Sequence, residues 1–337
     1  MSKVKVSVIG TGHLGTIHTK LWSQNEFAEL IGIYDVNDEK ATQLANEYKI
    51  KKFNSIDELL EESQAVTIAA PTSLHYDISK QCIKKGVHCL IEKPITSTSI
   101  EAKELIQLAE ENQVLVQVGH VERFNPALMA IKNYNPAPIF VEAHRLAQFK
   151  PRAIDVSVVL DLMIHDIDIV LWLIKSEVES VYANGVGVLT DTPDIANARI
   201  TFKNGAVCNL TASRITAKPM RKMRIFQKNA YISVDFGKQD VEVFRLLGEN
   251  EEMNKDVQLA TMLGTIEAGL KNANIVFEKP IVKEINAIAE EQTAFARAIL
   301  DNSPVAVSAK EATEALRIAE LISDQINEQL AKVKGIN

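Results

Sequence analysis

Cysteine is scarce in this 337-residue chain, which holds only Cys82, Cys89 and Cys208. An odd number without CxxC spacing argues against a disulfide framework or a structural zinc site, and makes a reducing compartment the default. Positive charge is not in excess either. The 37 lysines and arginines face 44 acids, a net charge of −7, whereas a groove for phosphate backbones needs a basic surplus. No apolar run reaches the length of a membrane span without charge. The opening MSKVKVSVIG reads as a strand, with no apolar signal-peptide core. Repeats, low-complexity tracts and linkers are missing too. These absences lead to the expectation of a cytoplasmic protein with no nucleic-acid, membrane or metal partner.

What remains is ordinary globular composition, 46% hydrophobic and 24% charged, in a chain long enough for two domains. The first part alternates strand and helix. VKVSVIG, AELIGIYD, AVTIAA, VHCLIE and VLVQVGH read as strands, with helical stretches such as HLGTIHTKLWSQ and SIEAKELIQLAEENQ between them. Short continuous β-branched strands alternating with helices predict a doubly wound parallel sheet. Later strands follow one another directly: VESVYANGVGVL, DIANARITF, AVCNLTASRI, MRKMRIFQK and AYISVDF, with a hairpin at KNGA. They predict a second α/β domain with a large, mostly antiparallel open sheet, and the chain ends in helices, one opened by a capping box at Ser308 and Glu311. The expected division is 1–121 and 122–337.

Gly10-Thr11-Gly12-His13-Leu14-Gly15 follows the first strand and opens a helix, and Asp35 closes the next strand about twenty residues on. Gly10 permits the tight turn, Gly12 lets backbone approach a pyrophosphate, and Gly15 lets helix pack on strand. The diphosphate then meets the helix N-terminus, whose free N–H groups favour an anion. Asp35 suits ribose hydroxyls and repels a 2′-phosphate, so the expected cofactor is NAD.

IEKP (91–94) closes a further strand. Ligands of open α/β sheets bind outside the carboxyl ends of the strands, which puts Lys93 where the nicotinamide is expected. Pro94 biases Lys93 towards extended backbone. APTSLH adds Pro71, Thr72 and His75 to the same edge. Further on, VVLDLMIHDIDIVLWLI reads as one buried helix over 158–174, yet it holds three aspartates and a histidine. At about 100° per residue Asp161, His165 and Asp168 fall within roughly a 60° arc, with Asp166 elsewhere. Such a stripe is costly unless its members pair with each other or with a ligand.

GxGxxG with a late acid, PTxxH, EKP and a D-x-x-x-H helix, in that order, resemble the Gfo/Idh/MocA oxidoreductases over essentially the whole chain. The resemblance implies a catalytic or substrate-orienting Lys93, with Glu92 and Pro94 shaping the cofactor pocket and Asp161 and His165 facing the lysine. His165 is then the expected base for a secondary hydroxyl, since an imidazole titrates near about 6.5 and a lysine near about 10.4. Lys93 orients the hydroxyl and stabilises alkoxide charge, and Asp161 fixes the ring or binds a second hydroxyl. One departure from the family is Ser157-Val158-Val159-Leu160, where many members carry glycines.

VGHVERFNPA (118–127) brings Arg123 and Asn125 to the domain junction near the cleft, where both are expected substrate contacts. Together with the D-x-x-x-H helix it resembles the branch that oxidises UDP-N-acetylglucosamine at its 3-hydroxyl. A sugar or nucleotide sugar is therefore the expected substrate. The alternatives are a free-sugar or cyclitol dehydrogenase and a non-catalytic NAD-binding regulator. Arg152 is the expected substrate contact among the basic residues Arg145, Lys150, Arg152, Arg214, Lys218, Arg221 and Lys222, any of which suits a diphosphate. Family members commonly pair through the second sheet, which implies a homodimer or homotetramer.

Overall fold

The computed structural model describes residues 3–149, 157–248, 252–268 and 271–334. Its first part runs β1 (Val4–Ile9), α1 (His13–Trp22), β2 (Ala28–Tyr34), α2 (Asp38–Tyr48), β3 (Lys51–Lys52), α3 (Ile56–Glu62), β4 (Ala65–Ile68), α4 (His75–Lys84), β5 (His88–Glu92), α5 (Ser99–Glu111) and β6 (Val116–Gly119). All six strands are parallel, in the order β3-β2-β1-β4-β5-β6. That is the doubly wound order of a dinucleotide fold, and its direction reverses between β1 and β4. The central strands are apolar because helices cover both faces: every residue of β4 is buried. Helix α1 lays Gly15, His18, Thr19 and Trp22 against the sheet, and the Trp22 indole N–H donates to the Thr67 hydroxyl at 2.8 Å.

The chain continues through α6 (Pro126–Ala130), β7 (Phe140–Leu146), a π-helical turn (Val159–Met163), α7 (Ile164–Ile174), β8 (Val178–Val186), β9 (Ile195–Phe202), β10 (Val207–Ser213), β11 (Met220–Gln227), β12 (Ala230–Asp235), β13 (Asp240–Leu247), β14 (Val257–Ala268) and β15 (Lys271–Pro280). These form a nine-stranded sheet, β14-β15-β13-β12-β11-β7-β10-β9-β8, antiparallel except where β10 pairs with β7. The expected hairpin at KNGA joins β9 to β10, with Gly205 at φ +85°. Alternation is clean in β9, where Ala196, Ala198, Ile200 and Phe202 are buried and their neighbours are not. On one face a row of rings crosses five strands in direct register. Phe140, Phe226, Tyr231, Phe244 and Phe277 lie with successive centroids 5.7, 4.9, 5.9 and 4.8 Å apart.

Two helices finish the chain, α8 (Ala287–Leu300) and α9 (Ala309–Lys334). The capping box at Ser308 is present: the Ser308 amide and hydroxyl donate to Glu311 at 3.0 and 2.7 Å, and the Glu311 amide donates back to the Ser308 hydroxyl at 3.3 Å. Two compact units result, Met1–Phe124 with Asn286–Arg317, and Asn125–Ile285 with Ile318–Asn337. The first unit is thus discontinuous, where the sequence suggests one cut at 121/122. The reason is packing, since Phe295 and Ala296 of α8 complete the apolar core around Val4, Val6, Trp22 and Leu90. Burying a side chain as large as Phe295 stabilises by about 1.5–3 kcal/mol.

Candidate active site

In the first unit, the turn after β1 is shaped by two glycines that the protein itself requires. Gly10 has φ +95°, and a Cβ there would meet the Ala69 carbonyl oxygen at 2.7 Å. A Cβ on Gly15 would stand 1.9 Å from the Gly10 carbonyl oxygen. Gly12 differs. A Cβ there meets nothing within 4 Å, and its φ of −65° is open to any residue. No side chain caps α1 and no acid lies in its first turn. The helix end therefore keeps amides for an anion, beside a position where only something outside the chain needs glycine.

Asp35, at the end of β2, is held against this turn. One carboxylate oxygen accepts from the Thr11 amide at 2.5 Å and the Thr11 hydroxyl at 2.8 Å, and the other accepts from the Asn37 amide at 2.7 Å. Burial pushes its carboxyl up, but the Asn37 and Thr11 hydrogen bonds outweigh it and hold the group below the ordinary value. The acid stays ionised with lone pairs to spare for hydroxyl donors. Thr11 is buried, while His13 and Leu14 are exposed at the head of α1. These residues fit NAD: uncapped amides and the open Gly12 suit the diphosphate, and an anchored carboxylate suits ribose.

The neighbouring loops are tied together. Buried His75 contacts the Ala70 carbonyl with Nε2 and the Pro94 carbonyl with Nδ1, both at 2.9 Å. It thereby joins the Pro71-Thr72 turn after β4 to the turn after β5, where the Lys93–Pro94 peptide is cis. Lys93 is half-buried. Its amide donates to Glu92 Oε2 at 3.2 Å, while Glu92 Oε1 lies 2.7 Å from Nε2 of fully buried His18. Burial raises the Glu92 carboxyl, but the His18 hydrogen bond, with the Lys93 amide and charge, keeps it below the ordinary range. Glu92 thus turns inward to His18. Sequence reading missed His18 because its partner is 74 residues away. The one available signal was a polar residue on the buried stripe Gly15, His18, Thr19, Trp22.

Arg123 is buried, and its Nη1 donates to Glu311 at 2.7 Å. Asn125 caps α6, accepting from the Ala127 amide at 3.1 Å while its amide nitrogen lies 3.5 Å from the Phe236 carbonyl oxygen. These bonds give both residues architectural work.

In the second unit the stretch expected as a single α-helix is wound differently. Val159–Met163 forms a π turn before α7 begins at Ile164. Each residue of a π turn advances by a smaller angle, which draws residues four apart closer to one line. π turns recur at functional sites. Asp161 and His165 are half-buried on this line, whereas Asp168 is 1% exposed. Asp166, also buried, receives both arms of Arg145 at 3.0 and 2.9 Å, which clamps α7 to β7. Removing one partner of such a pair costs about 3–5 kcal/mol.

Arg214 is likewise committed to structure. Its Nε donates to Asp194 at 2.9 Å, and Asp194 also accepts from the Val188, Leu189 and Thr190 amides. Burial raises the Asp194 carboxyl, yet these donors hold it far below the ordinary value. Lys222 lies 3.3 Å from Asp235. Of the cations proposed for a diphosphate, Arg145 and Arg214 therefore balance buried aspartates instead. Lys150 and Arg152 lie outside the described residues. Among the described residues no three His, Cys, Asp or Glu side chains gather as a metal site, and no helix is long and apolar enough to cross a membrane.

A parallel sheet of this order, with its glycine turn and anchored acid, defines a dinucleotide-binding protein. The chain belongs to the Gfo/Idh/MocA oxidoreductases: residues 4–120 match the oxidoreductase family's NAD-binding Rossmann fold, and residues 127–233 match the GFO/IDH/MocA C-terminal domain. Its cofactor is NAD. The chain is 42% identical over 245 residues to a UDP-N-acetylglucosamine 3-dehydrogenase of Acidithiobacillus ferrooxidans, covering 72% of this chain and 78% of that one. A solved structure of the Acidithiobacillus ferrooxidans dehydrogenase superposes with a TM-score of 0.85 at 35% identity, over 97% of this chain and 98% of the other. A scyllo-inositol 2-dehydrogenase of Bacillus subtilis is 32% identical over 233 residues, 63% of this chain and 68% of that one.

Proposed function

We propose that the protein oxidises the 3-hydroxyl of UDP-N-acetylglucosamine. The observation that carries this reading is the 42% identity with the Acidithiobacillus ferrooxidans enzyme of that activity. When bound, NAD would supply the acceptor for the hydride that leaves carbon 3, held by the amides of the glycine turn and by Asp35. His165 takes the hydroxyl proton, Lys93 holds the hydroxyl oxygen and offsets its developing negative charge, and Asp161 holds the imidazole from one turn earlier. The half-buried setting of Asp161 and His165, beside fully buried Asp166 and Asp168, supports these roles. Arg152 serves the diphosphate.

A second reading, a cyclitol dehydrogenase, is favoured by the 32% identity with the scyllo-inositol enzyme. NADH absorbance with UDP-N-acetylglucosamine, free N-acetylglucosamine and scyllo-inositol separates the two. Hydrogen bonds to charged groups contribute about 1.5–3 kcal/mol, roughly 10- to 150-fold each, so kcat/KM falls by at least one such factor without the UDP moiety. Preference for the inositol supports the second reading. NAD binding without turnover of any sugar marks a regulator.

The row of rings from Phe140 to Phe277 supports pairing of two copies through the second sheet. Its members are half-buried or exposed, and Phe226 is 36% exposed. Tyr231→Arg, at the middle of the row, is expected to halve the mass seen by light scattering and leave NAD affinity unchanged. A wild-type monomer at micromolar concentration overturns the pairing. All three cysteines are free and buried, which supports a cytoplasmic setting.

A further inference from the structure

Beneath Lys93 lies a connected set of buried polar groups from three elements. Gln292 of α8, His18 of α1 and Glu92 of β5 are 0%, 0% and 9% exposed. The Gln292 amide nitrogen donates to the His18 carbonyl oxygen at 3.1 Å and lies 3.0 Å from His18 Nδ1. The opposite orientation of this amide would press its oxygen against the His18 carbonyl oxygen and strand its two N–H groups. In the orientation present, the atom that lacks a hydrogen bond is Gln292 Oε1. The His18 carbonyl therefore decides which end of the amide faces the ring. Nδ1 must accept, so the ring's hydrogen is on Nε2, 2.7 Å from Glu92 Oε1.

We propose that Gln292 and His18 are positioning residues for the reaction: Gln292 fixes the Nε2–H tautomer of His18, His18 anchors the Glu92 carboxylate, and Glu92 holds the backbone of Lys93. The remaining carboxylate oxygen accepts the Lys93 amide hydrogen at 3.2 Å. Space for it is reserved on the adjacent strand, where a Cβ on Gly119 would stand 3.2 Å from Oε2. Because the ring donates from one nitrogen and accepts at the other, it orients the carboxylate without cancelling its charge. Glu92 thus remains an anion next to the Lys93 ammonium. The same ring sits one turn below Gly15 on α1, so the helix whose N-terminus suits the diphosphate also sets the lysine at the far side of the switch point. A group acting on the lysine's backbone changes the chemical step more than it changes binding.

This inference rests on the assignment of Lys93 to the reaction, and the test separates the two. A glutamine side chain can place its nitrogen near the position of histidine Nε2, whereas asparagine reaches only as far as Nδ1. With the sugar that turns over, His18→Asn is expected to lower kcat about tenfold, with KM and NAD affinity changed by less than about twofold. His18→Gln is expected to recover most of that loss. If the ring merely fills space, both substitutions depress stability and activity alike, and the proposal fails. Nitrogen NMR of histidine-labelled wild-type protein gives an answer that does not need activity. It is expected to show one pyrrole-like and one pyridine-like nitrogen for His18, the latter moved by Gln292→Leu. A doubly protonated ring, or an Nδ1–H tautomer, overturns the proposal. Wild-type turnover in a Lys93 variant overturns the role of Lys93 instead and leaves the tautomer result standing.

Discussion

His165→Asn is expected to lower kcat by about 10²–10⁴-fold, the range that loss of a general base commands. Asparagine keeps a polar side chain on the half-buried side of the helix but has no nitrogen that can take a proton. NAD affinity is expected to stay at the wild-type value, because the glycine turn and Asp35 belong to the other compact unit. Lys93→Met should cost about 10²–10³-fold in kcat, as removal of one charge-stabilising donor does. If both act on the same proton and the same oxygen, their losses do not add, and the double variant falls little below the worse single one. Steady-state rates with saturating NAD check all three. Wild-type turnover in either single variant removes that residue from the scheme.

The second large effect is a contrast between two glycines three residues apart. Gly15→Ala places a methyl carbon 1.9 Å from the Gly10 carbonyl oxygen, a backbone atom that cannot swing away. Overpacking costs about 1–3 kcal/mol even where side chains yield. The melting temperature of the cofactor-free protein should drop by several degrees, at roughly 2–4 °C per kcal/mol. Gly12→Ala meets no atom within 4 Å beyond its chain neighbours, so only the weaker N-cap preference of alanine lowers that temperature, by less than at Gly15. Its methyl instead intrudes where the diphosphate must approach, and the Kd for NAD is expected to rise more than about tenfold, equivalent to about 1.4 kcal/mol. Scanning fluorimetry without cofactor and calorimetric titration with NAD read the two halves separately. Equal effects at both positions would mean that Gly12 serves packing instead.

What was legible in the sequence was local. The glycine turn, Asp35, the strand ends at Pro71 and Lys93, and the Ser308–Glu311 capping box all announce themselves within a few residues. Groups whose partners are far along the chain did not. Arg145 and Arg214 read as free cations, because the aspartates they neutralise are 21 and 20 residues away and the pairing depends on how α7 and the second sheet fold. The winding of Val159–Met163 was hidden for another reason. Over five residues an apolar pattern fits a π turn as well as an α-helix, and a hundred-degree step is the default. Strands β7 and β13 went unread although VEAHR and VEVFR alternate, and β14 and β15, also unread, pair with register shifts. The return of α8 to the first sheet left no local trace, since Phe295 and Ala296 look like the buried stripe of any amphipathic helix.

That return sets an order of events during synthesis. The six parallel strands are complete by Gly119, yet the helix that closes their core ends at Leu300. At about 5–20 residues per second the ribosome needs roughly 10–35 s to cover the distance. For that interval the nascent N-terminal sheet stands with its Trp22 and Leu90 side uncovered, a natural landing place for a chaperone that holds apolar surface. A fragment cut at residue 124 would be left permanently in that condition.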